Sequence, residues 1–159
     1  MTLTYDAEGI AVALFAKLQT TSGLKFSSRI LKTIGEVPTE DMPALFQTMG
    51  DPTPINDPDG LPTGWKYEHI IYCYLHNSDA QANPPVAPST VLNNFLEAIK
   101  AAIVPVVVQG WPGFPGQVQV LGDTLGRIRH AWISGPVWSD EGVLGDSLFL
   151  IFPIEVEVR

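Results

Sequence analysis

Residues Trp65 to Leu75 read WKYEHIIYCYL. Aromatic and β-branched side chains dominate, and these suit a pleated, packed strand better than a helix. Trp65, Tyr67, His69, Ile71, Cys73 and Leu75 share one face of such a strand. Lys66, Glu68, Ile70, Tyr72 and Tyr74 share the other. The first half alternates apolar with polar. The second half is apolar on both faces, which predicts cover from both sides there.

A second long strand is expected at the end of the chain. Ser147 to Val158 (SLFLIFPIEVEV) places Leu148, Leu150, Phe152, Ile154, Val156 and Val158 on one face. Phe149, Ile151, Pro153, Glu155 and Glu157 take the other, and Pro153 predicts an edge position or a bulge. Arg127 to Trp138 (RIRHAWISGPVW) reads as the other arm of a hairpin, kinked near Gly135-Pro136. Ser139 to Asp146 is the expected connection.

Two helical patterns flank these strands. From Tyr5 to Thr20, Ile10, Ala11, Leu14, Phe15 and Leu18 form one stripe, with Gly23 placed to end the helix. From Ser89 as cap to Ile103, Val91, Leu92, Phe95, Leu96, Ile99, Ala102 and Ile103 form another. Ser27 to Ile34 and Ala44 to Met49 read as short strands. Residues 50–64 hold Pro52, Pro54, Pro58 and Pro62, which predicts a loop. Further loops are expected at 77–88 and at 110–116 (GWPGFPG). Strands and helices do not alternate regularly, so a parallel doubly wound sheet is disfavoured. The expected fold is α+β. It is a single domain with a mostly antiparallel sheet, two main helices packed on one face and a long C-terminal β-hairpin.

Composition narrows the function. The 159 residues carry 9 Lys+Arg against 17 Asp+Glu, a formal charge of −8. Such a balance argues against nucleic acid or an anionic membrane as the bound partner. Charged residues make up 16%, below the usual quarter, which fits either a surface partly covered by partners or one that is polar through Ser, Thr, Gln and Asn. No apolar run reaches the roughly 18–20 residues of a membrane span. Met1 to Asp6 lacks a basic region, so a cytoplasmic site of synthesis is expected rather than secretion. One cysteine, Cys73, precludes an internal disulfide.

Chemistry is sparse. The chain has no phosphate loop, dinucleotide fingerprint, zinc-protease motif or nucleophile elbow. His69, His76 and His130 share no common face and read as structural. Asp51, Asp57, Asp59 and Gly60 are spaced only in part like a calcium loop, and intervening prolines break the pattern. Cys73 reads as core packing rather than as a nucleophile. No catalytic residue, metal ligand or cofactor is expected.

The stretch DTLGRIRHAWISGPVWSDEGVLGDSLFLIFPIEVEV, with the strand 65–74 and the helix PSTVLNNFLEAIKAAI, resembles the tail terminator (tail completion) proteins of tailed bacteriophages. The carrying features are the turn Asp123 to Gly126, a strand with Arg127, His130 and Trp132, the segment Asp140 to Asp146, and the last strand through Pro153-Ile154. The resemblance implies a virion structural protein at the tail–neck junction, assembled in the host cytoplasm. Such proteins form a homohexameric ring on the head-proximal end of the tail tube. The ring stops tube polymerisation and joins the head–neck connector. DNA is then only passing cargo, and no membrane is involved.

Function on that reading lies in surfaces. The candidate contacts with a neighbouring subunit or the tube are Asp140, Glu141, Val143, Leu144 and Asp146 in the hairpin connection. Trp111 and Phe114 in the 110–116 loop and the loop at 51–64 join them. The alternatives are another neck protein, for head closure or tail attachment, or a small soluble enzyme or ligand-binding domain.

Overall fold

The computed structural model describes residues 7–77, 84–104, 106–107, 117–118, 128–141 and 147–158. The elements run α1 (Ala7–Leu18), β1 (Phe26–Ser28), β2 (Ala44–Met49), β3 (Thr53–Asn56), β4 (Pro62–His76), α2 (Pro88–Ala102), β5 (Val106–Val107), β6 (Gln117–Val118), β7 (Ile128–Ile133), β8 (Trp138–Asp140) and β9 (Ser147–Val158). Seven strands form one sheet in the order β1-β2-β4-β9-β7, with β3 also on β4 and β8 also on β9. Among the described residues only the β1–β2 pair is parallel, so the fold is α+β and mostly antiparallel.

The two longest strands form the spine. Trp65 pairs with Val158 and the register runs unbroken to His76 opposite Ser147. This register puts the odd residues of β4 and the even residues of β9 on one face. Ile71, Cys73, Leu75, Leu148, Phe152, Ile154 and Val156 are buried there beneath both helices. From α1 come Ile10, Leu14 and Leu18, and from α2 come Leu92, Phe95, Ile99 and Ile103. Each set recurs at helical spacing, so one stripe per helix meets one face of the sheet.

The opposite face is covered only in part. Residues 29–43, with two short 3-10 turns, fold over the end of the sheet holding Ala44, Phe46 and Tyr74. Val37 and Met42 complete that second core, and the Tyr74 hydroxyl donates to Lys32 O at 2.8 Å. Phe46 meets Tyr74 and Phe26 at ring-centroid distances of 5.4 and 5.9 Å. The doubly apolar half of β4 therefore has cover on both sides, as its sequence predicts.

Several local expectations are corrected. The strand expected over Ser27 to Ile34 shrinks to Phe26–Ser28; Ile30 is exposed and Ile34 lies in a 3-10 turn. α1 closes at Leu18, where the hydroxyls of Thr20 and Thr21 donate to the Lys17 and Leu18 carbonyls. Gly23, with φ 83°, turns the chain beyond it rather than capping it. α2 starts on Pro88, and Ala87, not Ser89, occupies the cap position with no side-chain bond. Proline fits the first helical turn because its missing N–H has no helical acceptor there.

The proline-rich segment 50–64 is not a loop but an edge hairpin, β3 paired antiparallel with the start of β4. Its prolines are tolerated because β3 lies outside the main path of the sheet. Pro153, by contrast, lies in a strand paired on both sides, with a local irregularity beside it rather than at the sheet edge. Tyr5, residues 78–83 of the 77–88 segment, the whole 110–116 segment, and the turn Asp123 to Gly126 lie outside the described residues.

Candidate interaction surface

The irregularity beside Pro153 shapes the candidate surface. β7 ends with Ile133 opposite Ile154, and β8 begins with Trp138 opposite Ile151. Four residues, Ser134 to Val137, thus stand across from two, Phe152 and Pro153. Ser134 N–H donates to Pro153 O at 3.2 Å. The N and O of a strand residue point to the same side, so the donor that proline lacks faces this bulge and disrupts no ladder bond. Gly135 passes so close that a Cβ there would sit 2.8 Å from Pro153 Cγ. The hairpin arm expected as Arg127 to Trp138 is therefore two short strands, and the connection starts at 141 rather than at Ser139.

The bulge leaves an apolar groove on the half of the sheet that residues 29–43 do not cover. Glu68, Ile70, Pro136, Trp138, Ile151, Phe152 and Pro153 line about 220 Å³. Trp138 is 68% exposed, an unusual placement for the largest apolar side chain. Glu68 forms the polar wall. Its carboxylate approaches Gly50, where a Cβ would meet Glu68 Oε1 at 2.8 Å. Across the sheet Glu68 is paired with Glu155, whose Oε1 lies 3.5 Å from Lys66 Nζ.

A second exposed feature is the tip of the β3–β4 hairpin. The Asp57 carboxylate accepts from the backbone N–H of Asp59 (3.1 Å) and Leu61 (2.8 Å), and Gly60 takes φ 82°. This fixed turn presents Leu61, 64% exposed, and Trp65, which stacks on Tyr67 with centroids 6.5 Å apart. Asp57 is thus engaged in holding the turn. Among the described residues no three His, Cys, Asp or Glu side chains converge as metal ligands.

Of the predicted contact residues, Asp140 and Glu141 are described, and they diverge. Asp140 belongs to β8 opposite Phe149 and shares the Trp138 side of the strand. Glu141 is exposed and lines a different groove with Ser89, Asn93 and Leu96 of α2. Val143, Leu144, Asp146, Trp111 and Phe114 lie outside the described residues. The Trp138 groove was not among the sequence candidates. Its signal was the outward register of Trp138, Ile151 and Ile70, which becomes visible only once β8 is paired with β9.

Burial shifts two titratable groups of the interior, His69 and Cys73. His69 is fully buried, and burial, helped by the Arg29 charge, pulls its pKa down to about 4. Burial pushes the Cys73 thiol far up, so it stays protonated and unreactive.

No protein-family model and no curated protein matches the chain. A chain of the solved "Virion of native gene transfer agent (GTA) particle" matches its fold. The likeness covers 98% of both chains, with a TM-score of 0.51 and 13% identity. The same α+β arrangement thus occurs, end to end, in a protein of a phage-like particle. Among the described residues no helix is long and apolar enough to cross a membrane.

Proposed function

We propose that this chain is a virion structural protein that caps the head-proximal end of a phage tail tube as a homohexameric ring. It acts through surfaces and not through a catalytic site. The observation that carries this reading is the end-to-end fold likeness to a gene transfer agent virion chain. The sequence resemblance to tail terminators supplies the position in the particle. A ring needs two different complementary patches on each subunit. The groove between Glu141 and α2 and the Leu61 hairpin tip are two exposed features of different shape that serve as candidates. A cap also needs one face that fits the tube end and another that does not. The acidic balance of 17 Asp+Glu to 9 Lys+Arg suits a channel wall that must not hold passing DNA.

Electron microscopy of particles made without this gene tests the proposal. Overlong tubes, or tails of uncontrolled length separate from heads, are expected. Tails of normal length that fail to join heads would assign the chain to the neck instead. Intact infectious particles would overturn both structural roles.

A further inference from the structure

The Trp138 groove combines an apolar floor with a carboxylate wall that pairs with no cation among the described residues. Ile70, Ile151 and Pro153 form the floor, and Trp138 stands at its side. Glu68 and Glu155 are directly opposite across β4 and β9, a pairing of like charges that weakens a sheet. Lys66 compensates Glu155 at 3.5 Å. No cation pairs with Glu68 among the described residues. Among the described residues a carboxylate without a counter-charge thus stands beside an exposed tryptophan, an arrangement that favours association over stability.

We propose that this groove receives a segment of a different virion protein. That segment lays an apolar side chain on Ile70, Ile151 and Pro153 and sets a Lys or Arg against Glu68. The inference rests on the virion role proposed above and specifies the partner chemistry of one surface. Charge selects the occupant. A second copy of this chain carries a net charge of −8 over its whole length, whereas a basic partner segment relieves the Glu68–Glu155 opposition. Trp138 has the size and rigidity of a residue that anchors such an interface.

The probe is p-benzoylphenylalanine placed at position 138 and, separately, at position 61, followed by irradiation of purified particles and mass spectrometry. From position 138 the expected product joins this chain to a different protein, within a few residues of a Lys or Arg. Glu68→Lys should lower its yield at least tenfold. Glu68→Gln should lower it less and should raise the thermal midpoint of the free protein by about 1–3 °C, because one of two opposed charges is gone. A crosslink to a second copy, or a yield indifferent to Glu68→Lys in a variant that still melts cooperatively, overturns the inference. So does a chain present in particles that crosslinks from position 61 but not from 138. A chain absent from purified particles overturns the virion role itself.

Discussion

Gln47 of β2 and His69 of β4 meet inside the core, the Gln47 Nε2 lying 3.4 Å from His69 Nδ1 and donating to Ala11 O of α1 at 2.9 Å. Both side chains are almost completely buried. This contact ties the helix layer to two strands by a polar link within an otherwise apolar interface. It is incompletely satisfied, since Gln47 Oε1 and His69 Nε2 have no partner among the described residues. Burial of such atoms favours neutral imidazole strongly over imidazolium.

A pH dependence follows. His69 has an ordinary value of 6.5 and a folded value of about 4, so between those pH values the unfolded chain binds the extra proton. The stabilisation is complete above pH 6.5 and is lost as pH falls towards 4, on the order of 3 kcal/mol at the limit. Urea midpoints measured across this window should fall with acidification. His69→Gln should flatten the curve there. An unchanged slope in that variant would assign the acid sensitivity to other groups.

The close passage of Gly135 over Pro153 yields a second expectation. A Cβ would lie 2.8 Å from Pro153 Cγ, and the proline ring has little freedom to retreat. Gly135→Ala should destabilise by about 1–3 kcal/mol, the usual range for overpacking. Chemical denaturation reads this directly. A wild-type midpoint would mean that residues 134–137 shift freely without disturbing β9.

The β4 face alternation and the helical stripes were legible because period and burial coincide. Ile71, Cys73 and Leu75 are apolar where the sheet meets the helices, and Ile10, Leu14 and Leu18 repeat where α1 meets the sheet. Pro54 misled in segment 50–64, because proline density marks an absent donor and not an absent strand. β3 needs bonds on one side only. Ser89 misled as a cap because Pro88 starts the helix one residue earlier. The Trp138 groove could not be read at all. It depends on four residues bulging across from two, and that register is a tertiary fact.

The two covers of the sheet differ in what they contribute to stability. Phe46 is fully buried under residues 29–43, between Phe26 and Tyr74. Trp138 is 68% exposed on the bare half of the same face. Phe46→Ala should cost about 3–5 kcal/mol, and Trp138→Ala less than about 0.5 kcal/mol. Yet Trp138→Ala is the variant expected to reduce particle assembly. If Trp138→Ala unfolds the protein as readily as Phe46→Ala, the groove is part of the core and not a contact.

Asp140 and Glu141 provide the sharpest separation of assembly from folding. They are adjacent in sequence, but Asp140 shares the Trp138 side of the strand, while Glu141 lines a groove against Ser89 and Asn93 of α2. Replacing Asp140, Glu141 and Asp146 together with alanine should leave the fold intact and impair assembly. The single variants should not behave alike. If a basic partner occupies the Trp138 side, Asp140→Ala should weaken the long-range attraction to it, and Glu141→Ala should not. The loss from Asp140→Ala should also diminish at high salt, because the wild-type advantage is itself screened. Complementation titres of the two single variants at low and high ionic strength measure this. Equal losses from both would mean that the end of β8 and the start of the connection act as one unit, with neither face of the sheet preferred.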